Sequence, residues 1–355
     1  MTRRLLLILI ICAVGASCAT GETYQEPIAV SRQEITRLMA SAAIPGAQIA
    51  VTVGDRIVWL ESFGESNIQS HDLVRNDTRF RVGSVSKVLT AAALMRLVEN
   101  GTLRLDDPVS RYLPDFPYGE VTLRQLAGHL GGIRHYSRNE FVNREHFASV
   151  TASLARFAND PRLAPPGQVY TYSSYGYNLL GAVIERAGKQ RFESLMATTL
   201  FRPAGMSDTT FEPSSGRVTG FYGREGGAIV AQPDVDLSDR IPSGGVLTTA
   251  RDLARFNIGM TARLLTPASR GIMFTRQQTA DGKPAPAGIA WRVEKDDAGR
   301  TFVHHGGEAM GGRAFVLIYP AERVSVAFVC NLSFAPFNEK NAGEIARRFI
   351  GNNSK

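Results

Sequence analysis

Cysteine is scarce, and its placement decides more than its number: Cys12 and Cys18 stand near the start, and Cys330 lies in the apolar run VSVAFVCNL. A disulfide framework is excluded, and Cys330 reads as a buried structural thiol. The histidines follow no metalloenzyme spacing and no zinc-finger pattern occurs, so neither a metal nor an organic cofactor is expected. Heptads, fixed-period repeats and low-complexity tracts are missing, which removes coiled coils, solenoids and disordered scaffolds. The net charge of +7 is spread along the chain rather than gathered in one patch, so no nucleic-acid partner is expected. What remains is a globular chain of 355 residues, 44% hydrophobic, long enough for a large core.

Residues 1–18 read as an export signal. Arg3 and Arg4 precede an apolar run from Leu5 to Val14 and then small residues. The run is shorter than the roughly 20 residues of a membrane span. Cys18, after Gly15, Ala16 and Ser17, resembles a lipoprotein box and is the expected lipidation site. Cleavage near Ala19 by an ordinary signal peptidase is the alternative. The expected destination is the bacterial cell envelope, periplasmic and anchored to a membrane through lipid at Cys18, with 19–27 as linker.

SRQEITRLMASAA reads as an amphipathic helix capped by Ser31, with Glu34 in the capping-box position. GAQIAVTVGDRIVWLESFG gives two strands around Gly54-Asp55. From about 101 to 284, helical stretches alternate with turn clusters such as LAPPGQ and IPSGG. Strand character returns in GIAWRVEK, RTFVHHGG, RAFVLIYP and RVSVAFVCNL, and NEKNAGEIARRFIG closes as a helix. This order predicts an α+β fold: one antiparallel sheet built from both chain ends with flanking helices (about 28–83 and 285–355), plus a mostly helical second lobe (about 84–284). A ligand cleft is expected between the lobes, with Ser84 at the junction.

The stretch FRVGSVSKVLT places Ser84 and Lys87 three apart where a long apolar helix begins. On a helix such residues share a face, so the hydroxyl and the amine come within hydrogen-bonding reach. Serine is a poor nucleophile until something takes its proton, and lysine does so only where burial or a nearby cation lowers its pKa from about 10.4. A Ser-x-x-Lys also arises by chance in a chain of this length, and Ser84 reads equally as a helix cap, so the pair needs company. YTYSSYGYNLLG supplies Tyr172, Ser173 and Ser174, and FVHHGGEAMGG supplies His304, His305, Gly306 and Gly307 at the end of a strand. Because successive strand residues face opposite sides, only one of His304 and His305 is expected to face the cleft. His129 and His135 read as loop scaffolding, Trp291 as core, and Ser86 as pointing away from Ser84.

With FRVGSVSKVLTAAALMRLVENGTLRLDDPVSRYLPDFP, LRQLAGHLGGIRHY, YSSYGYNLLGAVIERA, GGVLTTARDLARF and HHGGEAMGG in this order, the chain resembles the superfamily of penicillin-binding proteins and class C β-lactamases. Within it, it is most similar to the serine β-lactamase-like family known from mitochondria and its bacterial relatives. The resemblance implies a β-lactamase/transpeptidase-like fold and hydrolysis through an acyl-enzyme. It implies Ser84 as the acylated nucleophile, Lys87 as its partner and Tyr172 as the phenol sharing proton transfer. Ser174 would orient lysine and substrate, and His304 would begin the strand motif that carries lysine in many members. The oxyanion hole would use the backbone N–H groups of Ser84 and Gly307, beside Gly306. Proximity of Tyr172 to a Lys87 ammonium is expected to make the phenolate accessible. His304 for lysine removes the cation that would clamp a β-lactam carboxylate, and Ser174 for asparagine removes an amide that would grip a substrate carbonyl, so efficient β-lactam hydrolysis is not expected. The expected activity is therefore an exported serine hydrolase acting on a peptide or related acyl bond. An esterase or weak β-lactamase is the close alternative, and a non-catalytic peptidoglycan-binding or scaffold protein the distant one.

Overall fold

The computed structural model describes residues 24–351. The export signal, Cys18 and most of the expected linker lie outside the described residues.

The first helix, α1 (Gln25–Ser41), starts earlier than Ser31. Pro27 falls in its first turn, where a missing N–H is tolerated, and Ser31 is buried inside the helix rather than capping it. Glu34 pairs with Arg348 at 2.7 Å instead of closing a capping box, which ties the two ends of the described chain together.

Seven strands form the main sheet. They are β1 (Gly46–Val53), β2 (Arg56–Asn67), β3 (Asp72–Leu73), β4 (Arg292–Lys295), β5 (Thr301–Ala309), β6 (Gly312–Tyr319) and β7 (Val324–Cys330). The spatial order is β3-β2-β1-β7-β6-β5-β4, with antiparallel neighbours. The N-terminal and C-terminal strands meet at β1 and β7, where Ala50 opposes Ala327. The expected sheet from both chain ends is therefore the one observed.

Both faces of this sheet are covered, which explains why β1 is buried at every position. On one face Ile49, Val51, Leu317 and Phe328 pack with Ile35 of α1 and with Ile345 and Phe349 of the closing helix (Glu339–Phe349). On the other, Ala50, Val316, Ala327 and Val329 pack against the helical half of the chain. Alternation along each strand thus feeds two apolar cores.

At the centre of the second core runs α2 (Ser86–Glu99). Its residues from Ser86 to Met95 are buried, so it is enclosed on all sides rather than amphipathic. Beside it lies α3 (Ser174–Gly188), and α4 (Ile241–Gly244) is wedged between the two. Trp291 is fully buried, with Phe256 and Phe274 against its ring. Cys330 is fully buried as well.

Candidate active site

A single 3-10 turn, Gly83–Val85, leads into α2 and carries Ser84 at the seam between sheet and helices. Gly83 has φ +48, and a side chain there would strike the carbonyl of Glu308. Gly307 is the reciprocal contact: a Cβ on it would collide with the carbonyl of Val82 and come within 2.9 Å of the Val85 nitrogen. Two glycines therefore let strand β5 lie directly on the nucleophile turn.

One turn along, Lys87 is fully buried. Its Nζ lies 2.9 Å from Ser84 Oγ and donates to the carbonyl oxygen of Ser243, also at 2.9 Å. Burial, with the Arg240 guanidinium second, holds the Lys87 pKa well below the usual lysine range. A neutral amine keeps a lone pair, and that lone pair is what can take the Ser84 proton.

Tyr172 closes the group. Its ring centre is 5.0 Å from Lys87 Nζ, and it lines the cleft beside Ser84. Burial pushes its pKa above the usual tyrosine value, only partly offset by Ser84 beside it. This reverses the expectation of an accessible phenolate. Desolvation penalises the ammonium and the phenolate alike, which favours a neutral amine beside a neutral phenol.

The Tyr172 segment is held by the two histidines read as scaffolding. The backbone N–H of Ser173 donates to His129 Nδ1 and that of Ser174 to His135 Nδ1, each at 3.2 Å. The His129 ring also sits 4.5 Å from the Tyr172 ring, centre to centre. Ser173 caps α3, accepting from the Gly176 N–H at 2.8 Å and donating to the Arg134 carbonyl at 2.7 Å. Ser174, the first residue of α3, lines the cleft. Ser86 points away from Ser84 and accepts from the N–H of Val246 at 3.2 Å.

The strand motif is displaced by one residue from its expected reading. His304 stacks on Phe315, packs on Phe302 and lies 3.2 Å from Glu294, on the face turned to α1. His305 is the imidazole on the nucleophile side, 6.2 Å from the Tyr172 ring. Strand alternation allows only one of the pair to face Lys87, and packing of Gly307 on the nucleophile turn fixes which. The cleft, about 570 Å³, is lined by both histidines together with Ser84 and Tyr172.

Several residues of the site were invisible to sequence reasoning. Ser243 contributes a backbone carbonyl, which no residue type announces; the IPSGG cluster marked only a turn. Tyr136, whose hydroxyl is 2.6 Å from Ser243 Oγ, braces that turn. Arg240 is buried in a two-pronged pair with Asp239 at 2.6 and 3.0 Å and binds the carbonyls of Glu140 and Phe141. The adjacent Asp239, immediately before the RIPSGG run, was the available signal, since a buried arginine needs a buried acid. Among the described residues no group of three or more His, Cys, Asp or Glu side chains is placed to hold a metal ion.

This geometry is accompanied by clear relatives. The human "Serine beta-lactamase-like protein LACTB, mitochondrial" is 26% identical over 440 residues, covering 92% of this chain and 80% of the relative. The octameric penicillin-binding protein homologue from Pyrococcus abyssi superposes with a TM-score of 0.80 at 24% identity, covering 91% of this chain and 77% of that one. A hydrolase with promiscuous acyltransferase activity, EstCE1, shares the fold with a TM-score of 0.78 at 20% identity, over 92% of this chain and 99% of that one. A family model described as beta-lactamase matches residues 32–348, and the chain belongs to that family, within the superfamily that includes the penicillin-binding proteins.

Proposed function

We propose that the chain is a serine hydrolase that forms an acyl-enzyme at Ser84 and cuts a peptide or related acyl bond. The observation that carries this reading is the buried Lys87 amine 2.9 Å from Ser84 Oγ, with its other contact fixed by the Ser243 carbonyl. A pure binding protein has no use for a nucleophile with a desolvated base.

In the proposed cycle Lys87 takes the Ser84 proton as Oγ attacks the substrate carbonyl carbon. Backbone N–H groups at Ser84 and at the glycine strand beside it stabilise the oxyanion. Collapse breaks the bond to the leaving group, which takes a proton passed from Lys87 through Tyr172. Water then attacks the Ser84 ester, returns its proton to the same pair and releases the acid. The proton taken from Ser84 departs with the leaving group, and the proton taken from water is handed to Ser84 Oγ as the ester bond breaks, so each half balances.

Peptide substrates are favoured over β-lactams because no permanent cation faces Ser84 from the strand motif: His305 stands there. Purified protein offered a chromogenic cephalosporin, a short-chain nitrophenyl ester and a peptide library should turn over peptides or esters ahead of the cephalosporin. Dominant cephalosporin turnover reverses that order.

For location, the leader of residues 1–18 supports delivery to the bacterial envelope. Replacement of Cys18 by Ser should move the protein from the membrane to the soluble fraction, and an unchanged membrane fraction counts against lipidation.

A further inference from the structure

His305 enters the cleft beside Tyr172, with its residue only 5% exposed. Its Nδ1 lies 2.7 Å from the carbonyl oxygen of Gly306. A carbonyl only accepts, so Nδ1 carries the proton and donates. In the neutral ring Nε2 then holds a lone pair, and among the described residues no side chain or backbone group donates to it. Burial also holds the pKa down, to about 3, so the ring is uncharged at neutral pH. Where a lysine would present donors and a fixed charge, this chain presents a bare acceptor.

Resting on the reading of the cleft as an acyl-transfer site, we propose that His305 Nε2 accepts a hydrogen bond from an uncharged N–H of the substrate, so that the enzyme takes amide or carboxamide groups there and rejects a free carboxylate.

The rejection is physical. A carboxylate brings lone pairs against a lone pair and loses its hydration with no donor from His305 in return. The cleft does contain a cation without an ion pair among the described residues, Arg292. It is registered opposite His304, on the other face of the sheet from His305. Its charge reaches His305 and Tyr172 only as a minor influence, at His305 behind those of Lys87 and His304, and it makes no ion pair with or hydrogen bond to either among the described residues. The substrate class this selects is an internal peptide bond or a blocked C-terminus, in place of a terminal acid.

The test is protection of Ser84 from a fluorophosphonate, read by intact-protein mass spectrometry, using N-acetylated tripeptides identical except for a C-terminal carboxamide, N,N-dimethylamide or carboxylate. The carboxamide should protect at concentrations at least about tenfold lower than the other two, and His305→Lys should shift the preference toward the carboxylate. Equal protection by all three, protection by none, or better protection by the carboxylate overturns the role of His305 while Ser84 labelling itself stands. Absence of any Ser84 adduct in the unprotected protein overturns the hydrolase reading, and this inference with it.

Discussion

Lys87 Nζ sits 2.9 Å from Ser84 Oγ while donating to the carbonyl of Ser243, a residue contributed from more than 150 positions further along the chain. The backbone acceptor takes one N–H of the amine and fixes Nζ beside the serine. Burial here holds the amine pKa well below the usual lysine range, which favours the neutral, proton-accepting form.

Lys87 also links catalysis to stability. Its folded-state pKa is lowered by burial, so between that value and about 10.4 the unfolded chain binds one proton more than the folded one. Stability from this group therefore rises with pH across the window, by up to about 1.4 kcal/mol per pH unit. Denaturant unfolding at pH 7 and pH 9 should show the rise in wild type, and Lys87→Met should lack it while losing at least about a thousandfold in kcat.

Tyr172→Phe keeps the ring and removes only the hydroxyl group that would carry the proton. We predict a fall in kcat of about 10²–10⁴-fold with KM nearly unchanged. Steady-state kinetics on the best peptide or ester decides; an unaltered kcat makes Tyr172 a packing residue.

Gly307→Ala puts a methyl group against the Val82 carbonyl and 2.9 Å from the Val85 nitrogen. Either the strand or the nucleophile turn must move. Expected are a loss of about 1–3 kcal/mol in unfolding free energy and a slower rate of Ser84 labelling. Gly306→Ala is the milder control, since its methyl would meet the Phe315 ring at 3.3 Å.

Glu308 follows Gly307 and accepts from the Phe334 N–H at 2.6 Å. Burial pushes its pKa up to about 7 from 4.5, against the smaller opposing effects of that amide and of Arg313. Here the folded state binds the proton more tightly, so stability is full below the unfolded pKa and falls as pH rises toward 7. Glu308→Gln should match wild type near pH 4 and exceed it by about 1–3 kcal/mol above pH 7, as read by chemical denaturation at the two pH values.

Much of this was legible beforehand because period and order survive in sequence. Strand runs at both ends of the chain predicted a sheet joined at β1 and β7, and helical spacing put Lys87 one turn from Ser84. What escaped depended on tertiary contact. Ser31 looked like a cap because its local pattern fits one, yet helix α1 begins earlier and packs Ser31 inward. His304 and His305 are indistinguishable by type, and only the seat of Gly307 on the nucleophile turn tells which faces Lys87. The direction of the Lys87 and Tyr172 shifts needed the burial of both, which no spacing encodes.

The central claim is that a buried, neutral Lys87 activates Ser84. The most direct measurement is the rate of fluorophosphonate labelling of Ser84 as a function of pH, with the adduct located by mass spectrometry and Ser84→Ala as the blank. The account predicts labelling confined to Ser84, with a single rising limb whose midpoint lies well below the 10.4 of free lysine. Labelling elsewhere, or a rate that climbs only above pH 10, would contradict it.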